Sequence, residues 1–227
     1  MNPVVHEVLA ALLVGSLYAA AFVAAEWLHR HRAVAIEITR KLVHVLGGCI
    51  ALLLPALFAW RGTVPILGGL FALALLVTRR TRLLDSVHRV ERVSVGEIVY
   101  PIGIAATYLA AGYAGRPIFY GAAVMTLAVA DAAAGLIGSR WGRHRFRVFG
   151  DAKSVEGSAG FFLCGLFVVG AALTIEGSSS VMQVVLLAGS TALAGMFAEL
   201  LAPRGGDNVA IPLVVWGVLV LTDAALR

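Results

Sequence analysis

An all-α integral membrane bundle of about eight transmembrane helices is what this 227-residue sequence predicts, on three observations. Its composition is 60% AVILMFWYC against 14% DEKR, too few charges to coat a soluble domain of this length. Apolar runs of about twenty residues recur along it, the length that a helix rising about 1.5 Å per residue needs to cross the hydrocarbon layer. Short polar segments separate the runs and hold nearly all the basic residues.

The first run, near 4 to 28, follows no Lys or Arg and carries no cleavage site, so it reads as a retained helix and not as a signal peptide. Further spans fall near 42–60, 63–78, 95–114, 118–138, 156–175, 181–201 and 209–225, the third being short. No long polar insert, low-complexity tract or internal repeat divides the chain, and residues 1–227 read as one membrane-embedded domain. If segments 29–41, 79–94, 139–155 and 202–208 share one side, they carry 15 of the 18 Lys and Arg and leave Arg61, Arg116 and Arg227 to the other. The positive-inside rule makes the basic side cytoplasmic and puts both termini opposite. The same distribution explains the net charge of +5 as membrane orientation and argues against a nucleic-acid partner. Cys49 and Cys164 lie within apolar runs, where they read as small buried core residues and support neither a disulfide framework nor a cysteine zinc site. The compact chain with no transit peptide suggests a prokaryotic inner or plasma membrane.

Ionisable residues within or beside spans are costly and mark cavities or partners. In EITRKLVHVLGG, Arg40, His44 and Gly47 follow i, i+4, i+7 while Lys41, His44 and Gly48 follow i, i+3, i+7, so cations and small residues share a face suited to phosphate. Snorkelling at a helix end accounts equally for Arg40 and Lys41, but less well for His44 a turn deeper. Asp131 lies about two turns before the end of its span and heads a line of glycines, Gly135, Gly138 and Gly142. Close helix packing explains the glycines without explaining the carboxylate.

The segment RVFGDAKSVEGSAGFF brings Asp151, Lys153, Ser154, Glu156, Gly157 and Ser158 to a helix start, where free N–H groups favour anions. Capping explains Ser154; it leaves Lys153 as a cation at the wrong end of a helix dipole unless an anion joins it. The phosphate-binding pattern GxxxxGK[ST] is absent. Ser94-Val-Gly-Glu97 matches a capping box, so Glu97 reads as a cap or as a site residue. Glu199 falls on a stripe with Ala188, Ala192 and Gly195, and Asp207 or Asn208 either caps the last helix or serves a metal or nucleotide.

In order and spacing, RKLVH at 40–44, GEIVYPIG at 96–103, ADAAAGLIGSRWG at 130–142, KSVEGS at 153–158 and EL with DNVAIP at 199–212 resemble the CTP-dependent lipid-alcohol kinases, the family of dolichol kinase, phytol kinase and CTP-dependent diacylglycerol kinase. The resemblance spans about residues 37–213; Ala130 departs from the Gly common before the aspartate. It implies transfer of the γ-phosphoryl group of CTP to a membrane-resident lipid alcohol such as a polyprenol, dolichol or phytol, with Mg²⁺, in a multi-pass membrane enzyme; a homo-oligomer is compatible with it. The roles it implies are phosphate binding by Lys153 and Ser154, with Gly135, Gly138, Gly157 and Ser158 close to the nucleotide. Charge neutralisation falls to Arg40, Lys41 and His44. Asp131 holds the metal or accepts the alcohol proton, and Glu156, Glu199, Asp207 and Asn208 complete a metal or ribose shell.

Two other readings compete. A cytidylyltransferase making a CDP-lipid shares the substrate pair of CTP and membrane lipid, but this chain lacks the run of basic and acidic residues those enzymes carry after the catalytic segment. A small ion- or proton-coupled transporter would use Asp131 and Glu199 as a path; the charges here gather at one face, and no repeat is evident.

Overall fold

The computed structural model describes residues 2–81, 95–177 and 179–227. Helix α1 covers Pro3–Arg32, α2 Ile36–Ala51, a one-turn α3 Leu54–Leu57, α4 Thr63–Thr81 and α5 Gly96–Ala111. Next, α6 (Pro117–Met125) continues through a π-helical turn, Thr126–Ala130, into α7 (Asp131–Trp141). A hairpin of β1 (Arg145–Val148) and β2 (Asp151–Ser154) leads to α8 (Val155–Glu176), α9 (Val181–Leu201) and α10 (Asp207–Leu226).

With α2–α3 and α6–α7 each taken as one crossing, seven helical segments among the described residues are long and apolar enough to span a membrane, and the 16-residue α5 is the eighth. The eight spans read from hydropathy all appear, with shifted ends. The second begins at Ile36, so Arg40 and Lys41 lie inside the helix and not at its mouth. The fourth is shorter than 95–114, and its N-cap is Val95 with no side-chain cap bond; Ser94, the other half of the expected capping box, lies outside the described residues.

Burial runs opposite to that of a soluble protein at the periphery: Leu12, Phe167, Ile175 and Leu221 are largely exposed, as apolar residues facing lipid must be. The centre is the α6–π–α7 crossing, whose Phe119, Val124 and Leu127 are fully buried and which packs against α2, α8 and α10. Cys49, expected in the core, is instead exposed on α2, because the buried side of that helix is taken by Gly47, Gly48 and Ile50. A Cβ on Gly48 would lie 2.4 Å from that of Ala128, so the glycine lets α2 press against the π turn.

The hairpin is absent from the sequence reading, which left 139–155 as a connecting segment. Arg145 pairs with Ser154 and Val148 with Asp151, and the turn between them places both Phe149 (φ 48°) and Gly150 (φ 91°) at positive φ. Two successive positive φ values are the signature of a tight two-residue turn that matches strand twist. The pairing draws β2 back to the start of α8, so that Lys153 and Ser154 hang over one end of the bundle.

Candidate active site

Asp131 follows immediately after the π turn, a motif that inserts a residue and re-aims the face beyond it. The buried Lys41 donates to its carboxylate Oδ2 at 2.7 Å and to its backbone carbonyl at 3.3 Å, joining residues 90 apart in sequence. His44 Nε2 lies 3.5 Å from the same Oδ2 and 3.0 Å from the carbonyl of Leu127 within the π turn. A carbonyl only accepts, so Nε2 carries the proton, and in the neutral ring Nδ1 is left as an acceptor. Tyr100 packs its ring 4.6 Å from the imidazole and donates its hydroxyl to the His44 carbonyl at 2.9 Å, while Tyr18 donates to Gly47 O and Tyr120 to Ala51 O, each at 3.0 Å. Three tyrosines from three other helices thus fix α2, and with it the imidazole and ammonium groups.

A second buried pair lies nearby. Lys153 reaches from β2 to the carboxylate of Glu199 and donates to its carbonyl oxygen at 2.9 Å. The anion that a lysine at a helix start requires is therefore supplied within the chain, by α9. Ser154 caps α8 by accepting from Gly157 N at 3.1 Å, and Ser158 donates to the Ser154 carbonyl at 3.1 Å. Asn208 donates to the carbonyl of Gly96 at 3.2 Å, held close because Gly103 of α5 has no Cβ to strike the Asn208 backbone. Its buried Oδ1 has no hydrogen-bond partner among the described residues. Burying a polar atom unpaired costs about 1–3 kcal/mol, an expense expected where a ligand completes the site. The Nε of Arg40 is likewise buried without a partner, while that guanidinium pairs with Glu37 at 3.0 Å.

These groups line one cavity of about 680 Å³. Of the residues singled out from the sequence, Arg40, Lys41, His44, Asp131, Gly135, Gly138, Lys153, Ser154, Gly157, Ser158, Glu199, Asp207 and Asn208 all face it. Glu156 is not brought there: its carboxylate accepts from His144 Nδ1 at 2.7 Å and from the His144 backbone, bracing the hairpin against α8. Gly135 makes room for the Lys41 side chain, whose Cε would stand 2.9 Å from an added Cβ, whereas Gly138 and Gly157 let α7 and α8 touch. Arg143 is exposed and outside the cavity.

The sequence reading missed Arg145, Arg204 and Tyr100, which also line the cavity, as does Asp151, to which it gave no role. Asp151 accepts from Arg204 N at 3.1 Å, tying the hairpin to the α9–α10 connection. The alternation Arg-Phe-Arg-Val ahead of a Phe-Gly turn was the available signal for a hairpin, and for Arg145 on it. Glu97 faces the cavity and pairs with Arg79 at 3.2 Å.

Among curated proteins, the chain is 33% identical to a phytol kinase of Synechocystis sp. (strain ATCC 27184 / PCC 6803 / Kazusa) over 220 residues, covering 93% of this chain and 91% of that protein. No family model matches the chain. No solved structure matches it.

Proposed function

Because this chain belongs to the CTP-dependent lipid-alcohol kinase family, we propose that it transfers the γ-phosphoryl group of CTP to the hydroxyl of a membrane-resident isoprenoid alcohol, with Mg²⁺, at the cytoplasmic ends of its helices. The observation that carries this reading is the convergence of Arg40, Lys41 and Lys153 with Asp131, Asp207 and the unpaired Asn208 oxygen on one cavity. Phosphoryl transfer is mainly positioning and charge neutralisation, and needs cations on the phosphate oxygens together with oxygen donors for a metal.

The donor set suits Mg²⁺, a hard cation bound through one or two carboxylates plus substrate phosphates. Asp207 and Asn208 are the residues to hold it: Asp131 and Glu199 are each already engaged by a lysine, whereas Asn208 Oδ1 is orphaned beside Asp207. Mg²⁺ held there by Asp207 and Asn208 would neutralise charge on the phosphate oxygens. Arg40 and Lys153 bind the triphosphate, and Arg145 and Arg204 extend the basic wall toward it. In the transfer, the alcohol oxygen forms a bond to the γ-phosphorus as the bond from that phosphorus to the β–γ bridging oxygen breaks. CDP departs, and the hydroxyl proton passes to Asp131 or to Nδ1 of His44. Lys41 holds the Asp131 carboxylate in place and compensates its charge. CTP is cytosolic and the acceptor resides in the bilayer, so a site at the cytoplasmic helix ends meets both.

The test is incubation of purified protein with Mg²⁺, each nucleoside triphosphate and a panel of prenols and diacylglycerol, followed by lipid extraction. CDP and a monophosphorylated prenol are expected. Pyrophosphate with a CDP-lipid would identify a cytidylyltransferase instead.

A further inference from the structure

Beyond Lys41 and His44 the cavity wall turns apolar. Tyr18 and Phe22 of α1, Val43 of α2 and Phe71 and Leu75 of α4 form an arm that phosphate chemistry does not use. Phe71 sits against both Tyr18 (ring centroids 4.8 Å apart) and Phe22 (5.8 Å). Phe22, Ala25, Val43 and Leu75 make a small cluster separate from the main core. The backbone of α1 packs on α2 and that of α4 on α5, but α1 and α4 meet through these side chains and not through close backbone packing. The seam between them is therefore shut by rings. On its outer side Val23, Leu70 and Leu73 are more than half exposed, toward lipid.

We propose that this arm binds the hydrocarbon chain of the acceptor, admitted sideways from the bilayer through the α1–α4 seam, with Phe71 as the side chain that swings to open it. The proposal rests on the lipid-alcohol kinase reading and adds the chain's route and the residues that select it. A long-chain alcohol dissolved in lipid has no aqueous path to a site at a helix end, so it must enter laterally. A ring held by side-chain contacts can rotate aside at far less cost than two packed backbones can part. Among the described residues that line the arm, the one hydroxyl, that of Tyr18, has its proton committed to Gly47 O. Where it meets the polar half stand His44 and Lys41, beside Asp131, and there the hydroxyl arrives.

The whole cavity, at about 680 Å³, falls within the roughly 300–1,000 Å³ typical of a site for one small molecule and must also receive the triphosphate. One narrow chain fits such an arm, with its remainder left in the bilayer. A two-chain lipid would need a second slot. A separate apolar groove on α8 and α9, around Phe162, Leu193 and Met196, is open on the outer surface and shares only Ser158 with the cavity.

The experiment uses the full chain in lipid nanodiscs and a C20 prenol bearing a photoreactive diazirine on the part of the chain nearest the hydroxyl, with labelled peptides mapped by mass spectrometry. Labelling of α1 and α4 around Phe22 and Phe71 is expected; labelling concentrated at Phe162 and Met196 would overturn the proposal. In parallel, Leu75→Trp should raise KM for the C20 prenol by about tenfold or more relative to KM for a water-soluble C5 prenol, the scale of a steric mismatch in a tight apolar pocket. Phe71→Ala should relax the preference and admit bulkier chains. Equal losses with C5 and C20 acceptors in both variants would count against a chain-selecting arm. Photolabelling needs no turnover, so a parent protein that labels in the arm yet phosphorylates no alcohol would sink the kinase reading alone.

Discussion

Both ends of the bundle pair their charges, but they do different things with them. At the end opposite the cavity, Glu7 of α1 accepts from Ala59 N, Trp60 N and the hydroxyl of Thr63, stitching the α3–α4 corner to the first helix. Arg116, at the start of α6, pairs with Glu176 at 2.8 Å and Asp223 at 3.5 Å and donates to Ser179, so one guanidinium fastens three helix ends. These groups serve one another, and none of them is among the described residues that line the cavity. At the other end Lys41–Asp131 and Lys153–Glu199 open on a shared space into which the buried Asn208 Oδ1 brings unmet hydrogen-bonding capacity. Buried charge by itself signals little; convergence of charge with unfilled capacity on a cavity signals a site.

The sharpest way to break that contrast is Asp131→Asn. Loss of a general base typically costs about 10²–10⁴-fold in rate, and turnover per folded molecule should fall on that order. Lys41 would then be left buried without its counter-charge, a change that can cost about 3–5 kcal/mol of stability. The double variant Lys41→Met/Asp131→Asn separates the two effects: it should recover thermal stability and remain inactive. Lipid-phosphate production at matched folded amounts is the measurement, and near-parental turnover of Asp131→Asn would remove the carboxylate from the mechanism.

Next in size is Lys153→Ala, for which a lost charge-assisted contact of about 1.5–3 kcal/mol predicts roughly a 10- to 150-fold fall in kcat/KM for nucleotide. Arg143→Ala should change it little, because Arg143 is exposed outside the cavity. Similar modest losses in both would reduce Lys153 to general surface electrostatics. Arg143→Cys, expected to be active, also reports orientation: a membrane-impermeant thiol reagent should reach it from the cytoplasmic side and not from outside intact cells.

The smallest catalytic effect belongs to the opposite end. Arg116→Ala removes the guanidinium shared by Glu176 and Asp223, leaving Asp223 its pair with Arg227 at 3.0 Å, and should lower the thermal midpoint by several degrees. Its turnover per folded molecule should match the parent. A specific loss of kcat in the folded variant would show that the two ends are coupled and that the contrast between them is too simple.

Much of the site was visible as chemistry before it was visible as geometry. Asp131, His44 and Lys153 stood out because each is a costly side chain in an apolar or dipole-opposed setting, and all three face the cavity. Glu156 looked equivalent to Lys153 from its place at the same helix start, but Lys153 lies on β2 whereas Glu156 lies in the first turn of α8, where its neighbour in space is His144. Arg145 was hidden because five basic residues in one connecting segment look alike until a hairpin gives three of them fixed directions.

By itself, the sequence determined the all-α membrane class, the eight spans to within a few residues and the unusual polar groups, since hydropathy, periodicity and insertion cost act over local windows. Only the tertiary structure decided that Lys41 meets Asp131 across 90 residues and Lys153 meets Glu199 across 46, and that α1 and α4 leave a seam closed by aromatic rings. Those facts depend on which helix faces which, and that is set by glycine contacts such as Gly48 on Ala128 and by a π turn just before Asp131. Neither follows from apolar periodicity, because lipid and a neighbouring helix accept the same apolar face.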